Sequence, residues 1–139
     1  MGQIAPRAFG LAILAVVLGV AASVIWVLVY ALAVAPGQGQ QAYVDYATAA
    51  APTIALATGV PIMALLGWWI GRGRDRRTAL FGGALVALFF VAIDIALLAG
   101  LGNIALAPWA DILPGYAARL AAALAGAALA GRGGVRAAG

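Results

Sequence analysis

The stretch Ala8–Ala35, AFGLAILAVVLGVAASVIWVLVYALAVA, carries no charged side chain over its 28 residues. A helix needs about 20 consecutive apolar residues to cross the hydrocarbon core of a bilayer. Lipid supplies no hydrogen-bond partners, so an isolated apolar run can satisfy its own backbone there only as a helix. At 1.5 Å per residue the run is about 42 Å long, which exceeds a core of about 30 Å and implies tilt or overhang. A cleaved signal peptide is the competing interpretation, because Ala33-Val34-Ala35 has the small-residue pattern of a cleavage site. The run is far longer than the apolar region of about 7–15 residues that such peptides carry. Pro36 at the first mature position also argues against cleavage, so the segment is expected to be retained as a span.

Three further runs follow. Thr48–Ile70 contains Pro52, Pro61 and the closing pair Trp68-Trp69. Pro52 is expected in a first helical turn, where its missing N–H costs nothing, and Pro61 at a kink. The tryptophans fit an interfacial aromatic belt. Thr78–Gly100 holds one charge, Asp94, and Gly115–Gly131 is alanine-rich with Arg119 near its start. The fold class expected is therefore all-α, a single domain over residues 1–139. It is a bundle of four transmembrane helices at about 8–35, 48–70, 78–100 and 115–131. Composition agrees: 66% of residues are hydrophobic, 9% are charged, and the mean hydropathy is +1.09. A soluble domain carries charge on roughly a quarter of its residues.

The arginines orient this bundle. Arg7, the loop residues Arg72, Arg74, Arg76 and Arg77, and Arg132 and Arg136 fall on one side of a four-span arrangement. The opposite connections hold Asp45 and Asp111 and no arginine. The positive-inside rule then puts both termini in the cytoplasm. The formal charge of +4 and the pI near 10.4 follow from the same placement, so no nucleic-acid partner is implied. The basic loop can also attract anionic lipid headgroups. An Ala-, Gly- and Arg-rich chain without lysine suggests a GC-rich bacterial gene and a multi-pass protein of the inner membrane.

The chain has no Cys, His, Lys or Glu, and one serine, Ser23. The usual nucleophiles and general bases are missing, as are thiolate and histidine ligands for metals or haem. No enzyme activity, cofactor or metal site is expected.

Asp94 is the most informative residue. A carboxylate in the bilayer costs roughly 2.5–3.5 kcal/mol even on lenient scales. Its helical neighbours Phe90, Val91, Leu97 and Leu98 offer no hydrogen bond, so a partner must come from another helix. Asp94 lies about 9 Å inward from Gly100 and Arg119 about 6 Å inward from Gly115, so an Asp94–Arg119 ion pair is expected, supported by Thr53 and Tyr30 at similar depth. Two alternatives stand beside it: proton or cation transport through Asp94, and contact with a partner protein.

Small residues recur every four positions at Ala118, Ala122, Gly126 and Ala130, with a second row at Ala123, Ala127 and Gly131. Such rows let helix backbones approach closely. They serve packing within the bundle, or an interface with a membrane-protein partner or a second copy. The leading expectation for function is a small non-catalytic accessory, scaffold or stabilising subunit in the lipid bilayer. The rival is a small oligomeric transporter or channel with Asp94 in its pathway.

Overall fold

The computed structural model describes residues 3–102 and 104–134. Asn103, Arg136 and the side chain of Arg132 lie outside the described residues, as does most of the basic tail. Four helices are long and apolar enough to cross a membrane. The first, α1, covers Ile4–Val29 and continues as one π-helical turn, Tyr30–Val34. It is followed by α2 (Gln40–Gly71), α3 (Arg76–Gly100), a short 3-10 turn (Ile104–Leu106) and α4 (Trp109–Gly134).

The turns between helices follow local chemistry. Gly73, just past the end of α2, and Gly102, past α3, take φ of +70° and +72°, the left-handed conformation that ends helices and favours glycine. Asp75 then starts α3 by accepting from the Thr78 backbone N–H at 3.0 Å. Hydrogen bonding by Thr78, through its side chain first and its backbone N–H second, holds the Asp75 carboxyl below the ordinary carboxylate range.

All four helices start earlier than their apolar runs suggest, α2 and α4 by the most. α2 begins at Gln40 instead of Thr48, because its first two turns are polar yet helical. Gln41 donates to Asp45 at 2.9 Å one turn on, and Tyr43 ties the segment back to the Ala35 carbonyl at 2.9 Å. Pro52 therefore lies inside the helix, not in its first turn, and α2 runs on through Pro61. α4 begins at Trp109 instead of Gly115, with the Pro108 carbonyl accepting from Asp111 and Ile112, so Pro114 is also internal.

Packing is concentrated toward the end of the bundle that bears the Arg72–Arg77 turn. α1 buries Ile4, Ala8, Ala12 and Ala15 and, among the described residues, nothing beyond them. The buried side of α3 ends at Phe90. α4 is wedged between α2 and α3 by small residues. A Cβ on Gly126 would run into the Ala64 carbonyl of α2, and one on Gly67 into the Ala123 carbonyl of α4. A Cβ on Gly83 of α3 would lie 2.9 Å from the Ala123 oxygen. Large apolar side chains such as Val17, Ile25, Leu32 and Leu129 are more than half exposed, as lipid-facing groups are.

Candidate functional site

In the other half of the bundle, where fewer side chains are buried, all four helices wall a half-open cavity of about 560 Å³. Most of its lining is apolar. The exceptions include Asp94 from α3, Asp111, Tyr116 and Arg119 from α4, and Thr58 from α2. Asp94 and Arg119 thus share one space.

Each has its own partner. The Tyr116 hydroxyl donates to Asp94 Oδ2 at 2.5 Å. Arg119 donates from a terminal nitrogen to the Ala55 carbonyl of α2 at 2.9 Å, and its guanidinium carbon lies 5.0 Å from the centre of the Phe90 ring. The expected direct Asp94–Arg119 bond is not formed among the described residues. The reason is helical register. With α4 starting at Trp109, Arg119 lies about 15 Å along it, whereas Asp94 lies about 9 Å from Gly100 at the same end of the bundle. Tyr116, about 10.5 Å along, is the residue that matches Asp94. The guanidinium instead fits against Gly59, where any Cβ would collide with it. Its Nε is buried and has no partner among the described residues.

The supporting groups expected from sequence lie elsewhere. Thr53 is exposed and off the cavity. The lining face of α2 passes through Thr48, Ala51, Ala55, Thr58 and Ile62, at helical spacing. Thr53 falls about 100° or more from the centre of that face. Tyr30 stacks on Tyr46, ring centres 3.4 Å apart, and Tyr46 also accepts from the Trp26 indole at 3.1 Å. These aromatics cluster at the α1–α2 connection. Sequence reasoning missed Tyr116, although its place three residues before Arg119 on one helix face was a usable signal.

The small-residue rows are occupied within the chain. Gly126 and Ala130 are buried, Ala118 and Ala122 half-buried, and Ala123 and Ala127 fully buried. In the basic turn, Arg72 lies 4.5 Å over the Trp68 ring and Arg74 donates to the Ile70 carbonyl, while Arg76 and Arg77 open α3 and are exposed. No family model, curated protein or solved structure matches the chain.

Proposed function

We propose that this chain is a small multi-pass transporter of a bacterial inner membrane, with both termini cytoplasmic, that admits an organic cation into the central cavity. One observation carries the proposal: the intramembrane carboxylate, Asp94, lines a roomy cavity instead of a dry ion pair. Two carboxylates, Asp94 and Asp111, and one guanidinium, Arg119, line that cavity, so 1 − 2 gives a formal lining charge of −1. Its mainly apolar wall suits the body of an amphipathic solute. In this reading Asp94 is the counter-charge, Tyr116 orients it, and Arg119 ends the cation's path at the packed half. The small-residue faces that a partner subunit could use are engaged inside the bundle, at Gly67, Gly83 and Gly126, which does not favour the accessory-subunit alternative.

The test is titration of the purified chain with tetraphenylphosphonium, followed by uptake into proteoliposomes. Asp94→Asn should weaken binding by about ten-fold or more and abolish uptake. Thr53→Ala, which faces away from the cavity, should change neither. Binding that is indifferent to Asp94→Asn sinks the transporter reading.

A further inference from the structure

A second site lies at the opposite, arginine-bearing end, and it does not depend on the central cavity. Arg7 of α1, Arg72 at the end of α2 and Arg74 in the following turn converge on a pocket of about 470 Å³. They come from segments some 65 residues apart in sequence, since 72 − 7 is 65. Among the described residues, no carboxylate lines this pocket. The acid nearest in sequence, Asp75, is engaged by the Thr78 N–H. Two of the three cations are held in place: Arg72 over the Trp68 ring and Arg74 on the Ile70 carbonyl.

The pocket does not stand alone. Trp69 and Arg72 also border a second hollow of about 410 Å³. Its walls include Leu14 and Leu18 of α1 and Ile62 and Leu65 of α2, with no charged group besides Arg72 among the described residues. From Leu11 in the pocket to Leu18 in the hollow, α1 advances about 10.5 Å toward the bundle's middle. Leu65 and Trp69 are largely exposed, so this groove is open sideways.

We propose that the charged pocket and the apolar groove together form a built site for one anionic phospholipid. The phosphodiester sits among Arg7, Arg72 and Arg74, and an acyl chain lies along Leu14, Leu18 and Leu65. Guanidinium groups present donor forks that match phosphate oxygens. A soluble anion would satisfy the arginines and leave the groove unfilled, which selects the lipid.

Native mass spectrometry of the full chain in a non-ionic detergent tests this with phosphatidylglycerol, phosphatidylcholine and inorganic phosphate as probes. One phosphatidylglycerol should be retained in preference to phosphatidylcholine. Arg7→Gln should weaken retention roughly five-fold, the effect of one arginine near a charged surface. Gly10→Leu should weaken it as well: a Cβ at Gly10 meets nothing within 4 Å, so the larger side chain enters the pocket without disturbing the helices. Arg77→Gln, in the same basic turn but outside the pocket, should leave retention unchanged. Thermal unfolding of each variant checks that it is folded. Equal loss in Arg77→Gln and Arg7→Gln would reduce the effect to diffuse charge and overturn the site. Retention of phosphatidylcholine as firmly as phosphatidylglycerol, or displacement of the lipid by inorganic phosphate, overturns it too.

Discussion

Tyr116 and Asp94 are joined across α4 and α3 by a hydrogen bond from phenol to carboxylate, and Arg119, one turn further along α4, bonds to α2 instead. The consequence is a specific pattern of coupling. Tyr116→Phe leaves Asp94 without this donor and should destabilise the bundle by about 1 kcal/mol, the usual scale for hydrogen bonds between membrane helices. Asp94→Asn keeps an acceptor oxygen for Tyr116 and should be milder than Asp94→Leu. In thermal unfolding in detergent, a double-mutant cycle should give a larger coupling for Asp94 with Tyr116 than for Asp94 with Arg119. The reverse ranking would restore the direct ion pair.

Gly59 is the seat of the Arg119 guanidinium, and a Cβ there would meet the flexible end of that side chain. Gly59→Ala should therefore move Arg119 without unfolding the chain. Gly126→Leu meets rigid backbone at Ala64 and should abolish assembly or lower expression sharply. Gly19→Leu, where a Cβ finds open space, should be tolerated. Yield and monodispersity on size-exclusion chromatography separate the three outcomes. Equal tolerance of Gly126→Leu and Gly19→Leu would contradict the packing of α4 against α2.

Hydropathy made the four helices legible, because each holds an apolar run of the length that lipid requires for a crossing. The same signal misjudged where helices begin. It reports the apolar slab, and the first turns of α2 and α4 are polar or interrupted by Pro114. For α4 the six residues from Trp109 to Gly115 shift every depth by about 9 Å, enough to exchange Arg119 for Tyr116 as the partner of Asp94. Depth alone points to Thr53 and Tyr30, and depth says nothing about which face of a helix a residue occupies. The small-residue rows were readable because every fourth residue shares a face. The register between helices was not, since it depends on contacts such as Gly126 with Ala64 that no single segment encodes.

Asp75 links acidity to the α2–α3 turn. Its carboxylate caps α3, and hydrogen bonding by Thr78 lowers its pKa on folding. A group with a depressed folded pKa contributes stability above its unfolded pKa, and that stability is lost as pH falls through the folded value. The cap should therefore hold at neutral pH and weaken only in acid, below the ordinary aspartate range. Asp75→Asn, which can still cap, should flatten this acid dependence while keeping the helix start. Amide exchange at Thr78, followed across pH, reads the effect. An acid dependence identical in wild type and Asp75→Asn would remove Asp75 from the account.

The arrangement of charge makes a prediction about sidedness. Arg72, Arg74, Arg76 and Arg77 crowd the single α2–α3 turn, while the residues linking α1 to α2, and α3 to α4, contain no arginine. All of these connections are short, the regime in which arginine bias governs orientation. With four spans, Arg7 and the end of α4 fall on the same side as the basic turn. Reporter fusions after Gly39 and after Asp111 should accordingly read as periplasmic, and a fusion after Arg74 as cytoplasmic. If the turn arginines are the cause, replacing all four by glutamine should mix the orientations, because only Arg7 and the C-terminal arginines then remain to bias them. A cytoplasmic signal at Gly39 in the wild-type chain would overturn the orientation. It would also turn the central cavity toward the cytoplasm and the Arg7–Arg72–Arg74 pocket toward the outer leaflet.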